Sequence, residues 1–247
     1  MKAVILGATK GMGRAIAREL AARGAELFLL GRNAEDLARS ARDLETRSGK
    51  PAGSIGVAPC DLERPEQFGG ALDAANAALA GFDCVVVTAG LFATQDDLEA
   101  DGEVARRLLT VDFANTVVFC EEARKRLLAR GGGTLCVFSS VAGERGRKPV
   151  ILYGAAKAGL SRYLEGLDHK FRERGLRTVC VKPGFVRTSM TEGLKAPPFA
   201  GEPDAVAAQV VRAIDKGRPV VYAPWIWALI MLVIRSLPRF VMRRIGF

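Results

Sequence analysis

The chain has 247 residues, with 36 Lys and Arg against 27 Asp and Glu, a formal net charge of +9 and a sequence pI near 9.6. That length accommodates one α/β domain with a sizeable core. The basic surplus points to an anionic cofactor or an anionic membrane surface and away from nucleic acid, because no nucleic-acid motif or long basic run is present. The five cysteines (Cys60, Cys84, Cys120, Cys136, Cys180) are scattered without a C-x-x-C pair, and the single histidine, His169, lies in a charged helical stretch. Small core thiols in a reducing compartment are therefore expected, with no metal site and no His-based triad.

Strand and helix patterns alternate along the chain. Apolar runs predict strands at 2–6, 26–30, 54–58, 84–87, 134–138, 177–181 and 219–222. Helical patterns fall at 11–23, 34–47, 65–79, 97–130 and 150–174, the fourth broken near Asp101-Gly102. Continuous apolar strands alternating with helices predict a parallel sheet covered on both faces. The first strand begins almost at Met1, so no signal peptide and a cytoplasmic location are expected. Residues 1–222 read as one α/β domain, and 223–247 as an apolar and basic C-terminal segment.

The turn Gly7-Ala8-Thr9-Lys10-Gly11-Met12-Gly13 joins the first strand to the first helix. Glycines there let backbone amides approach a pyrophosphate at a helix N-terminus; the alternative is a tight strand-to-helix turn with no ligand. Arg32 follows the second strand, where an acid would hold a ribose 2′-hydroxyl; Asp36 lies further on, inside the helix. Arg32 and Lys10 suit a 2′-phosphate, so NADP(H) is preferred and NAD(H) stays open. Asp61-Leu62, after the third strand, would meet the adenine, and Ala89-Gly90, after the fourth, would floor the cofactor. Tyr153 and Lys157 are four residues apart on one helix face, where the ammonium would lower the phenol's pKa. Ser140 stands thirteen residues before Tyr153.

Together these residues resemble the short-chain dehydrogenase/reductase family over residues 3–222. The resemblance implies a doubly wound fold with a seven-stranded parallel sheet, a homo-oligomer, and metal-free hydride transfer between a nicotinamide cofactor and a carbonyl. It assigns Ser140 to the substrate carbonyl, Tyr153 to proton donation, and Lys157 to the nicotinamide ribose and to tuning the phenol. Pro183, Gly184, Val186 and Thr188 match the segment that holds the carboxamide. The chain departs from the family pattern in Leu6 for Thr, in Val87-Thr88-Ala89-Gly90 for Asn-Asn-Ala-Gly, and in Asp112 at the catalytic Asn position. Asp112 reads either as the holder of a relay water or as a helix-surface charge, and Asn115 is less well placed. Residues 139–147, 153–160, 182–188, Tyr222 to Trp225 and Leu237-Pro238 resemble more closely the NAD(P)H-dependent reductase of the decaprenylphosphoryl-ribose 2′-epimerase pair. That likeness implies a 2-keto pentose carried on a polyprenyl phosphate.

Residues 225–234 are ten apolar residues in a row, half of the roughly twenty needed to span a bilayer. Arg235, Arg239, Arg243 and Arg244 follow, among Leu237, Phe240, Val241, Met242 and Ile245. This composition suits a helix lying in an anionic headgroup layer; the alternatives are a buried helix or a subunit contact. Arg145, Arg147 and Lys148 read as contacts for a substrate phosphate or as a solvated loop. The expected function is NADP(H)-dependent reduction of a small-molecule or lipid-linked carbonyl, peripheral on the inner face of the membrane. The alternatives are another amphipathic ketone, 3-ketoacyl or steroid-like, and a non-catalytic cofactor-binding module.

Overall fold

Alternation along β1 (Lys2–Leu6) sends successive side chains to opposite faces. Ala3 and Ile5 enter one buried layer and Val4 and Leu6 the other, as in a strand covered on both sides. The remaining strands are β2 (Glu26–Gly31), β3 (Gly56–Pro59), β4 (Cys84–Val87), β5 (Gly133–Phe138), β6 (Leu176–Pro183) and β7 (Val220–Ala223). In the computed structural model, which describes residues 1–245, they form a seven-stranded sheet, parallel throughout, in the order β3-β2-β1-β4-β5-β6-β7. This is the parallel sheet expected from the alternating pattern, in the doubly wound Rossmann architecture that the resemblance implies. Gly246 and Phe247, the end of the predicted C-terminal segment, lie outside the described residues.

Helices α1 (Gly11–Ala22) and α2 (Ala34–Ser48) cover the Ala3/Ile5 face through Ile16, Leu20, Leu37 and Leu44. The same face is closed by α8 (Pro203–Asp215), an element absent from the sequence expectation. Its signals are nonetheless standard: Pro203 at the first helical position, and a buried stripe of Val206, Ala207, Val210, Val211 and Ile214. The opposite face is covered by α3 (Phe68–Ala78), α6 (Thr116–Ala129) and α7 (Ile151–Phe171). There Phe68 and Phe119 meet edge to face, with ring centroids 5.5 Å apart. All five cysteines are buried and free. Burial pushes the Cys60 and Cys84 thiols up to about 12, which leaves them inert.

The predicted break in the long helical region is real. Helix α4 (Gln95–Ala100) ends at Asp101, whose extended backbone and side chain cap α5 (Gly102–Leu109) by accepting the Glu103 and Val104 N–H groups. A π-helical turn, Thr110–Asn115, then leads into α6. It buries Val111 and Asp112 while Phe113 and Ala114 stay exposed. Two smaller boundaries move: the third strand starts at Gly56, and the helix expected from 65 opens with a 3₁₀ turn at Pro65–Gln67. The C-terminal segment forms α9 (Ile226–Ser236) and α10 (Arg239–Arg244), divided at Pro238. Met231 and Ile234 of α9 pack on Val141, so one face of the segment is buried and the other is not. Among the described residues, no helix is long and apolar enough to cross a membrane.

Candidate active site

The strand order reverses between β1 and β4, and the crevice at the C-terminal ends of these strands is where α/β sheets of this kind bind ligands. Two glycines let the chain fold tightly there. Gly7 has φ +93°, and a Cβ on it would lie 2.7 Å from the Ala89 nitrogen; a Cβ on Gly13 would lie 2.1 Å from the Gly7 oxygen. Thr88, in the place of an amide residue, ties β4 to this turn through its hydroxyl, which reaches the Leu6 oxygen at 3.0 Å and the Gly7 oxygen at 3.3 Å. The first turn of α1 has no side-chain cap and no acidic residue, so its amides remain open to an anion. Thr188 approaches from the other side, since a Cβ on Gly11 would sit 3.5 Å from its Cβ. Thr9, Lys10 and Met12 complete the turn.

Around the rim, Asn33 caps α2, and Asp36 is engaged by Arg39 at 2.9 Å, which removes the nearest acid from a ribose. Arg32 and Lys10 are exposed and form no ion pair among the described residues. Asp61 lies two residues beyond the end of β3, and one of its oxygens accepts the Glu63 N–H at 3.0 Å. Leu62 is buried, and its carbonyl accepts the Asn115 side-chain amide at 2.6 Å, so Asn115 is structural. Val186 is buried in a bridge to Gly201. The Gly184 N–H reaches the Ala223 oxygen, and a Cβ there would lie 2.1 Å from the Trp227 indole. The Pro183-Gly184 segment is therefore also the seat of α9. The glycine-lined cradle, the open helix terminus and the free cations fit a phosphorylated dinucleotide.

The four residues expected to carry chemistry come together between β4, β5, the π-turn and α7. A 3₁₀ turn, Val141–Gly143, packs directly on α7: a Cβ on Gly143 would be 2.6 Å from the Ala158 nitrogen, and one on Gly154 2.8 Å from the Ala142 oxygen. This close approach sets Ser140 beside Tyr153. Ser139 secures the contact, its hydroxyl reaching the Lys157 oxygen at 2.8 Å. Ser140 Oγ accepts the Ala142 N–H at 3.1 Å and keeps its own proton free for another partner. Phe92 meets the Tyr153 ring edge-on at 5.4 Å, and Lys157 Nζ lies 5.5 Å from that ring's centre.

Asp112 is not a helix-surface charge. It is fully buried, its Oδ2 3.3 Å from Lys157 Nζ and its Oδ1 accepting the Leu91 N–H at 2.6 Å. Gly90 makes room, because a Cβ there would be 3.1 Å from Oδ1. Burial would drive Lys157 toward neutrality, but Asp112 holds its value above the ordinary lysine range. Lys157 lowers the phenol as expected, but burial outweighs it. Burial raises Tyr153 above its usual value and Asp112 adds to this, outweighing the opposing effects of Lys157 and Ser140.

Residues that sequence reasoning missed hold this cluster in place. Gln95 Oε1 accepts the Ile151 and Leu152 N–H groups at 2.9 and 3.3 Å, capping α7 from 56 and 57 residues away. Glu144 binds Lys182 at 2.5 Å, the Tyr222 hydroxyl at 2.9 Å and Arg235 at 3.2 Å, joining β6, β7 and α9. Two of the neighbouring cations are engaged by the C-terminal segment. Arg145 donates to the Leu237 oxygen and Lys148 to the Arg243 oxygen, each at 2.7 Å, while Arg147 is half-buried with an unpartnered Nε.

The family model described as short chain dehydrogenase matches residues 1–198. An uncharacterized oxidoreductase of Mycobacterium tuberculosis is 36% identical over 243 residues, covering 98% of this chain and 95% of that protein. The chain thus belongs to the short-chain dehydrogenase/reductase family and is an oxidoreductase of it. Among solved structures, a short-chain type dehydrogenase/reductase from Mycobacterium ulcerans shares the fold with a TM-score of 0.80 at 23% identity, over 89% of this chain and 86% of that one. An actinorhodin polyketide ketoreductase with NADPH does so with a TM-score of 0.79 at 21% identity, over 89% of this chain and 94% of that one.

Burial would raise the Glu144 carboxyl, but Lys182, Tyr222 and Arg235 hold it below the usual carboxylate range. Its contribution to docking α9 is therefore complete above an unfolded value of about 4.3 and is lost as pH falls through the lower folded value. Tryptophan fluorescence, reporting Trp227, is expected to stay constant from neutral pH to about 4.3 and to change below it. Glu144→Gln should show the acid-state signal already at neutral pH.

Proposed function

We propose that this chain is an NADP(H)-dependent ketoreductase for an amphipathic substrate, working at the cytoplasmic face of a membrane. The convergence of Ser140, Tyr153 and Lys157 beside the glycine-lined turn carries the reading. The nicotinamide, when bound, supplies the hydride. Tyr153 protonates the carbonyl oxygen as the new C–H bond forms, and Ser140 donates a hydrogen bond to the same oxygen. Lys157, held as a cation, stabilises the phenolate left behind and reaches the nicotinamide ribose. Arg32 and Lys10 take the 2′-phosphate, and the related ketoreductase structure with NADPH is consistent with that choice. The remaining cofactor contacts fall to Gly7, Thr9, Gly11, Met12, Gly13, Asp61, Leu62, Ala89, Gly90, Pro183, Gly184, Val186 and Thr188.

Two features support an amphipathic substrate. Met190, Leu194 and Phe199, in the segment that follows Thr188, are exposed apolar side chains. The outer face of α9 presents Trp225, Leu229, Leu232 and Val233, continued by Phe240 and accompanied by exposed Arg235, Arg239, Arg243 and Arg244. An apolar ridge flanked by arginines matches an anionic headgroup layer. The resemblance noted above makes a polyprenyl-phosphate-linked 2-keto pentose the first substrate to assay. The likeness to a polyketide ketoreductase favours 3-ketoacyl compounds as the second.

Purified protein should oxidise NADPH with one of these ketones, and Tyr153→Phe should lower that rate by about 10²-fold or more while NADPH still binds. Turnover that persists in the variant removes Tyr153 as donor; NADPH binding without turnover of any ketone favours a binding module. Loss of a charged hydrogen bond costs about 1.5–3 kcal/mol, so Arg32→Ala should weaken NADPH binding by about ten- to a hundredfold and leave NADH unchanged, read by cofactor titration. Replacing Leu229, Leu232 and Val233 with Glu should abolish cosedimentation with phosphatidylglycerol vesicles; unchanged sedimentation would sink the membrane reading.

A further inference from the structure

We propose that Gln95 is a positioning residue for Tyr153: reaching across from α4, its side-chain amide holds the first turn of α7 and so sets the Tyr153 hydroxyl where a carbonyl oxygen can take its proton. The proposal rests on the reading of Tyr153 as proton donor and deepens it.

Tyr153 sits where a helix is least secure. It is the third residue of α7, in a turn whose leading N–H groups have no intrahelical acceptor. The N-cap residue is Val150, whose side chain has no oxygen to accept them. From Gly154 onward, α7 is held from elsewhere. Gly154 and Ala158 press on the backbone of the 141–143 turn, the Ser139 hydroxyl holds the Lys157 carbonyl at 2.8 Å, and Asp112 faces Lys157 Nζ at 3.3 Å. Residues 151–153 lie outside these contacts. A loosened first turn would therefore carry Tyr153 away from Ser140 and leave Lys157 where it is.

Gln95 closes that turn. Its Oε1 accepts the N–H groups of Ile151 at 2.9 Å and Leu152 at 3.3 Å, the two residues before Tyr153. Its Nε2 donates to Glu99 Oε1 at 2.9 Å, one turn along α4, which orients the amide with its oxygen toward α7. The base of this arm is itself fixed. Thr94 caps α4 by accepting the Asp97 N–H at 3.2 Å, and Asp97 accepts the Thr94 hydroxyl at 2.6 Å in return. The same segment walls the Tyr153 ring: Phe92 stands edge-on at 5.4 Å, and Leu98 shares the ring's apolar cluster. Phe92, Gln95 and Leu98 follow one another at intervals of three residues, so the cap and the ring wall belong to one short body.

In the step this serves, the Tyr153 O–H bond breaks and the proton joins the carbonyl oxygen as the cofactor's hydride forms the C–H bond. A displacement on the order of 1 Å can cost about a hundredfold in rate. The cofactor falls instead to the glycine-lined turn and Lys157, to which Gln95 makes no hydrogen bond among the described residues. Loss of the Gln95 acceptor is therefore a loss of kcat with cofactor affinity spared.

Tyrosine carrying ¹³C at its ring ε carbons gives a readout that needs no substrate. Only three tyrosines are present, and Tyr153→Phe identifies the signal of Tyr153. Phe92→Leu shows where that signal lies without the neighbouring ring. In Gln95→Met, which keeps the length and loses the acceptor, the Tyr153 signal should move toward its Phe92→Leu position while those of Tyr163 and Tyr222 stay. Gln95→Glu combined with Glu99→Gln keeps an acceptor facing α7 and a donor beside it, and should return the signal. With a ketone that the wild type turns over, Gln95→Met should lower kcat about tenfold or more and leave the NADPH Kd unchanged. A Tyr153 signal unmoved in Gln95→Met, or not returned by the paired exchange, overturns the proposal, as does a loss of NADPH affinity that matches the loss of rate. If Gln95→Met does not fold, hydrogen exchange in the wild type decides: protected Ile151 and Leu152 amides support the clamp, and free exchange at both overturns it. A protein that turns over no ketone would sink the donor reading, and the spectrum would still report whether Gln95 sets the ring.

Discussion

Lys157 is a cation set almost out of reach of water, with a relative exposure of 5%. Desolvating an ammonium costs several kcal/mol even after the protein relaxes, and much of the surrounding structure answers that cost. Asp112 supplies the charge and the Phe138 carbonyl a distant acceptor. Asp112 in turn depends on the π-turn that faces it inward, on the Leu91 N–H, and on the missing side chain of Gly90. Helix α7 comes close enough to β5 only because Gly143 and Gly154 let backbone meet backbone. Removing one partner of such a pair leaves a buried charge uncompensated, at about 3–5 kcal/mol. The cluster is therefore built as a unit, and the geometry between Ser140 and Tyr153 depends on it.

A second ionic cluster lies on the far side of the 141–143 turn. Glu144 gathers Lys182, Tyr222 and Arg235, and it is this carboxylate, with Arg145 and Lys148 beside it, that fastens the C-terminal helices to the sheet. Val141 touches Met231 and Ile234, and it is the residue after Ser140. Trp227 lies on Gly184, in the segment leading to Thr188. One layer of side chains thus separates the outer face of α9 from both the catalytic turn and the cofactor bed. Whatever covers that face also bears on the site.

Much of this was legible in the chain because it is local. The strands are continuous apolar runs, the Gly7–Gly13 turn sits between a strand and a helix, and Tyr153 and Lys157 share a face by spacing alone. Helix α8 was equally legible from Pro203 and its Val206/Val210/Ile214 stripe, although no element was expected there. What could not be read depends on contacts distant in sequence. Asp112 looks like a polar residue on a helix until the π-turn rotates it inward. Gln95 carries no mark of capping a helix that begins at Ile151. Arg145 and Lys148 have the composition of an anion site, and only the fold shows that backbone carbonyls of the tail occupy them. The net upward shift of Tyr153 was not legible for the same reason, since spacing reveals the nearby ammonium, which does lower the phenol, but not the burial that outweighs it.

The positive surplus can now be placed. Many arginines are tied to carboxylates on helix surfaces, as Arg107 is to Glu63 and Arg126 to Asp73, and such exposed pairs add little stability. Lys10 and Arg32 at the cofactor rim, and Arg239, Arg243 and Arg244 on the tail, have no carboxylate partner among the described residues. Unpaired cations concentrated beside a glycine-lined turn and along an exposed apolar ridge attract anions at two places. Inside the site the opposite rule holds, because Lys157 is neutralised by Asp112. The same chain leaves positive charge open along the cofactor rim and the tail and pairs it inside the site.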